Sequence, residues 1–230
     1  MNKLQRLGRY LLLLLIFSAC QKPFEFGFDI YEIAHFHNNG AGTFELMVDL
    51  TKARKFFRIE SYINRSQPKR TQTLIKKAFQ DIHRRLRGVQ GISRISTAYD
   101  KQMLYFKLSL HFSSIRALNN AMRKISAHAD RAKLTYFSMD RHSLVRLDVQ
   151  SIVGLVKYYQ ARDDSYIASF DLKTFFKDVT HRTTYSFDRE IKKVTNQAAT
   201  ISKSRRVVTL QHCLFNEKEQ ANSIGNQVFF

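Results

Sequence analysis

The stretch FDIYEIAHFHNNGAGTFELMVDL, residues 28–50, decides the fold class. Phe28 to His37 and Thr43 to Leu50 read as two strands, and Asn38-Asn39-Gly40-Ala41-Gly42 between them is a hairpin loop. In the second strand Phe44, Leu46, Val48 and Leu50 share one face, while Thr43, Glu45, Met47 and Asp49 share the other. Because successive strand side chains point to opposite sides, this alternation marks a sheet with one buried face.

Working outward, Lys52 to Asn64 reads as a first helix, broken by Ser66-Gln67-Pro68. A stronger helix follows over about 69–87, with Leu74, Ile75, Ala78, Phe79, Ile82 and Leu86 as its apolar stripe and Gly88 and Gly91 at its end. A second hairpin spans Ile92 to Tyr99 and Met103 to Phe112, where Leu104, Phe106, Leu108, Leu110 and Phe112 alternate with polar or amphipathic neighbours. Ser113 or Ser114 can cap the next helix, which carries Ile115, Leu118, Met122 and Ile125. Strand-strand-helix therefore occurs twice, although no residue string repeats. Further on, Lys133 to Leu147 reads as a hairpin turning near Asp140-Arg141. Strands are expected at Val179 to Phe187, Ile191 to Ser202 and Arg206 to Phe215, with Val228-Phe229-Phe230 as a final edge strand. The expected architecture is α+β: one domain over 28–230, an antiparallel sheet with two to four helices packed mainly on one face.

Ahead of this domain, MNKLQRLGRYLLLLLIFSAC has the order of a bacterial signal peptide. Lys3, Arg6 and Arg9 form a positive start without an acid, and an apolar run begins at Tyr10. Its extent to Ala19 is half of the about 20 residues that a bilayer span needs, so cleavage is expected. Ser18, Ala19 and Cys20 resemble a lipobox, with Phe17 where Leu is usual. Residues 1–19 then form a lipoprotein signal peptide, Cys20 is the acylated N-terminus, and 20–27 a short tether. Lipid chains contribute about 0.8 kcal/mol per buried CH₂, so several hold a domain at a membrane. Gln21, a residue other than Asp after the cysteine, points by resemblance to the outer membrane. With Cys20 lipidated, only Cys213 remains, and an intramolecular disulfide is excluded; its alternating apolar surroundings predict a buried thiol.

The stretch YSFDREIKKVTNQAATISKSRRVVTL, residues 185–210, combines Tyr185, Phe187, Ile191, Val194 and Asn196 with a polar turn and then Val208 and Leu210. This pattern resembles the end of the LppM-type lipoprotein domain and of small bacterial lipoproteins of the Bacteroidota type. GTFELMVDL, residues 42–50, resembles their early strand. Asp188-Arg189 stands where that family has Pro-Gly, and the family's closing Trp is absent. The resemblance implies an α+β domain on a lipid anchor, with lipid binding as a property of a relative, and brings no catalytic residues.

Charge is the second strong signal. The chain carries +19, and Lys52 to Arg94 holds thirteen basic residues against Glu60 and Asp81, a local net of +11. On the second helix Arg70, Lys76, Lys77, Arg84 and Arg87 lie away from the apolar stripe, so one face packs while the other presents a cationic field. Near an anionic leaflet each Lys or Arg contributes about 1 kcal/mol. A solvated face that keeps the domain soluble is the plainer alternative. Nucleic acid, the first thought for a pI near 10.1, is argued against by the export signal.

Catalytic signatures are missing: there is no GxSxG, HExxH, CxxC, phosphate-cradling or dinucleotide-binding motif. His35 and His37, two apart on a strand, point to one side, and Asp49 on the neighbouring strand could approach them, depending on the register. Two ligands do not make a zinc site, so no metal and no cofactor is expected, with His35 and His37 as the weak candidates. The aromatic doublets at 158–159, 175–176 and 229–230 place one ring on each sheet face, for packing or for a groove. The expected function is that of a lipid-anchored outer-membrane protein of the bacterial envelope, without catalysis, whose basic helix contacts anionic lipid, glycan or an envelope partner. An envelope hydrolase with a site assembled only in the fold, and an interaction module of an outer-membrane complex, stay open beside it.

Overall fold

The computed structural model describes residues 27–55, 58, 70–100, 104–126, 134–147, 179–213 and 224–230. The expected signal peptide over 1–19, Cys20, most of the expected helix over 52–64, the doublets at 158–159 and 175–176, and the side chains of Arg70, Leu74 and Ile75 lie outside this description.

The first hairpin forms as its alternation requires. Strand β1 (Asp29–Phe36) pairs antiparallel with β2 (Gly42–Asp49), from Asp29 opposite Asp49 to Phe36 opposite Gly42. At the turn Gly40 adopts φ +79°, a conformation open to glycine at no steric cost. Helix α1 (Arg70–Leu86) is followed by the hairpin β3 (Ile92–Asp100) and β4 (Tyr105–Phe112), and then by α2 (Ile115–Ile125). Of the two candidate caps, Ser114 is the one used: its side chain accepts from the Ala117 N–H at 3.2 Å. The hairpin β5 (Phe137–Met139) and β6 (Ser143–Arg146) turns at Asp140, whose carboxylate accepts from the backbone N–H groups of His142 and Ser143, both at 2.7 Å. The remaining strands are β7 (Thr180–Phe187), β8 (Lys193–Val194), β9 (Thr200–Ile201), β10 (Val207–Cys213) and β11 (Asn226–Phe229).

These strands form two sheets: a large one in the order β3-β4-β2-β1-β7-β10-β9 and a small one in the order β5-β6-β11-β8. The expected purely antiparallel sheet is therefore corrected, because β1 and β7 pair in parallel across the centre of the large sheet. The strand expected over 191–202 is two strands, one in each sheet, and β11 lies between β6 and β8 rather than at an edge. The helices do not form one layer over one sheet face either. α1 and α2 contact each other and cover β3 and β4, while α2 also touches β5 of the small sheet.

One face of the large sheet is the core side. Ile30, Ala34 and Phe36 of β1, Phe44 and Leu46 of β2, and Phe106, Leu108, Leu110 and Phe112 of β4 are all buried there. Each of the Ile, Leu and Phe side chains contributes roughly 1.5–3 kcal/mol by leaving water. Phe36 touches Phe112, Phe137, Tyr185 and Phe187 with ring centroids 5.7–5.8 Å apart, joining the two sheets through aromatic contacts. Asn119 ties α2 to β5: its Oδ1 accepts from the N–H groups of Tyr136 and Phe137 at 2.8 and 2.9 Å, and its Nδ2 donates to the Phe137 carbonyl at 2.8 Å. Cys213 is half-buried at the end of β10, not buried as its surroundings in sequence predict.

Candidate functional site

The alternation that buries Ile30, Ala34 and Phe36 turns the odd-numbered residues of β1 outward, and His35 among them. His37 follows on the same side, just past the strand end, and the two rings meet edge to face with centroids 4.7 Å apart. Asp49 is not their partner. The hairpin register sets it opposite Asp29, at the far end of β1, whereas His35 faces Thr43. The acid comes instead from the end of β7, because parallel pairing aligns His35 with Ser186 and Phe36 with Phe187, bringing Asp188 beside both histidines.

The Asp188 carboxylate lies 3.0 Å from His35 Nε2 through Oδ1 and 3.1 Å from His37 Nδ1 through Oδ2. The Asn38 backbone N–H donates to the same Oδ2 at 3.3 Å. The ligand-capable atoms of His35, His37 and Asp188 all lie within 4.8 Å of one another. Desolvation raises the Asp188 carboxyl, but the hydrogen bonds from His37 and Asn38, with the charge of His37 and the contact from His35, hold it below the usual range. His35 Nδ1 is 2.8 Å from Ser186 Oγ, and Ser186 Oγ donates to the Ala34 carbonyl at 3.4 Å. Arg189 braces the loop from behind. Its Nε donates to Asn38 Oδ1 at 2.9 Å, its Nη1 donates to the Arg141 carbonyl at 2.7 Å, and its guanidinium stacks 4.6 Å from the Phe230 ring centroid. The Asp188-Arg189 pair thus supplies both an acid at the cluster and the brace that positions it.

A second polar cluster is buried between the sheets. Glu32 occupies the inward phase of β1, between Ile30 and Ala34, and Arg146 the inward phase of β6. Tyr185 donates its hydroxyl proton to Glu32 Oε1, and His181 Nε2 is 3.5 Å from Glu32 Oε2. Burial raises the Glu32 carboxyl, yet the positive charge of Arg146 and the contacts of His181 more than offset this and leave it well below the ordinary range. Burial and the Glu32 charge both push the Tyr185 hydroxyl upward, so it stays protonated and donating. The guanidinium stacks over the Phe137 ring at 5.0 Å. Of these four residues only Tyr185 stood out in the sequence, as part of the stretch over 185–210; Glu32, Arg146 and His181 did not. The signal was present: a carboxylate in the apolar phase of β1, and an arginine in the phase of Leu144.

On α1 the side chains described from Lys76 onward divide by face. Phe79, Ile82 and Leu86 are buried, whereas Lys76, Lys77 and Arg84, with Arg87 just beyond the helix, are exposed. Arg84 and Arg85 both pair with Asp81, the one acid on this helix. Among the described residues no helix is long and apolar enough to cross a membrane.

No family model matches the chain, and no curated protein matches its sequence. Among solved structures, the folded domain of the LppM protein of Mycobacterium tuberculosis, determined by NMR, is similar with a TM-score of 0.43 and 9% identity, over 91% of this chain and 92% of that one.

Proposed function

We propose that this chain is a lipid-anchored envelope protein that binds rather than catalyses, held at the outer membrane through acylated Cys20 and touching anionic head groups or glycan with the basic face of α1. The observation that carries the reading is the split of α1 into a buried side, Phe79, Ile82 and Leu86, and an exposed cationic side, Lys76, Lys77, Arg84 and Arg87. The leader ending at Ser18-Ala19-Cys20 supplies the anchor. A tether keeps the domain close to the bilayer, so contacts too weak to matter in free solution act at high effective concentration. The net charge of +19, less the three positive charges of Lys3, Arg6 and Arg9 in the leader, leaves +16, which favours the same surfaces over any distance shorter than the screening length, about 8 Å at physiological salt.

Vesicle flotation of the chain from Gln21 onward tests this. Recovery with anionic vesicles is expected to exceed recovery with neutral ones at low salt, and to fall when Lys76, Lys77, Arg84 and Arg87 are all replaced by Glu. Equal recovery with both vesicle types ends the lipid reading. Mass spectrometry of the mature N-terminus tests the anchor separately, through a diacylated or triacylated Cys20.

A further inference from the structure

We infer that His35, His37 and Asp188 form a binding site for a divalent cation of the zinc class, on the outward face of the large sheet where β1 and β7 end. Three observations converge on it. The donor set is two imidazole nitrogens and one carboxylate, the combination that suits Zn²⁺ and its late first-row neighbours; Ca²⁺ and Mg²⁺ take oxygen donors, and soft Cu⁺ takes sulfur. The donor atoms already lie within 4.8 Å of one another, and tetrahedral bonds of about 2.0–2.1 Å need donor atoms roughly 3.4 Å apart. Side-chain rotation of the partly exposed imidazoles closes that difference without moving the sheet. The site is also supported from outside: Ser186 orients His35, the Asn38 N–H holds Asp188, and Arg189 fixes the Asn38 turn.

Both imidazoles direct a ring nitrogen at the same carboxylate, His35 Nε2 at 3.0 Å and His37 Nδ1 at 3.1 Å, so a single ion can take the place of both contacts. The side chains are 35%, 48% and 35% exposed for His35, His37 and Asp188, so a bound ion keeps a position open to water or to an anionic group.

The test is calorimetric titration of Zn²⁺ into the tag-free, chelator-treated full chain in detergent, with Mg²⁺ and Ca²⁺ titrated in parallel. One equivalent of Zn²⁺ is expected to bind, unaffected by the two harder ions. Asp188→Asn and His37→Gln are each expected to weaken it at least tenfold, and Ser186→Ala by about tenfold through loss of orientation. Circular dichroism checks that each variant is folded, and His37→Gln, at the most exposed of the three positions, serves if Asp188→Asn is not. Histidine acylation read by mass spectrometry gives a second measurement: Zn²⁺ is expected to protect His35 and His37 while the exposed His142 reacts as before. The assignment is overturned if no Zn²⁺ binds, if the folded variants bind it as tightly as the parent chain, or if His35 and His37 react equally with and without the metal.

Discussion

The guanidinium of Arg146 closes on the carboxylate of Glu32 across the gap between the two sheets, with Nε 3.0 Å from Oε1 and Nη2 3.2 Å from Oε2, both side chains 1% exposed. This fork is a charged contact set among the aromatic rings that otherwise join the sheets. Its partners are 114 residues apart in the chain. The remaining polar capacity is used as well, with Tyr185 on Oε1 and Arg146 Nη1 donating to the Leu147 carbonyl at 2.5 Å.

Removing one partner leaves the other charge buried. Glu32→Gln and Arg146→Met are each expected to lower unfolding stability by about 3–5 kcal/mol. The double variant Glu32→Met with Arg146→Met, which buries no charge, is expected to be more stable than either single one. Urea midpoints at neutral pH measure all three, and the cycle gives the coupling.

Acid is expected to reproduce part of that loss. Glu32 is held well below its ordinary pKa in the folded chain, so the unfolded chain binds a proton that the folded chain refuses. The stabilisation is full above the unfolded value, about 4.3, and falls as pH drops from there toward the depressed native value. Urea midpoints between neutrality and acid should therefore bend downward below about pH 5, less so in the double Met variant. Identical slopes in the two proteins would remove Glu32 as the cause.

Gly42 marks where the first hairpin cannot accept a side chain. A Cβ there would sit 1.9 Å from the His35 carbonyl oxygen and 2.7 Å from the Phe112 ring. Both neighbours are inside paired strands, with Gly42 set between Phe36 and Phe112 in the register. Gly42→Ala is expected to destabilise by roughly 3 kcal/mol, the upper end for overpacking, as read from the thermal midpoint. Because His35 is the residue displaced, the same variant is expected to bind Zn²⁺ more weakly.

The parts of this molecule that were legible in sequence are local. The β1–β2 hairpin, the Ser114 cap, the turn at Asp140 and the two faces of α1 each follow from periodicity or turn chemistry within about a dozen residues. His35 and His37 were visible as a pair for the same reason. Asp49, the acid that could approach them from the neighbouring strand, does not, because the hairpin register sets it opposite Asp29 at the other end of β1.

Residue order alone therefore determined the strand alternation, the turns, the amphipathic helices and the basic excess of 52–94. The tertiary structure decided the parallel pairing of β1 with β7, the division into two sheets, the Glu32–Arg146 fork and the union of Asp188 with His35 and His37. These contacts join residues more than a hundred positions apart. Such contacts leave no periodic trace in the chain, since they are selected by which apolar faces bury one another and by the register that burial imposes.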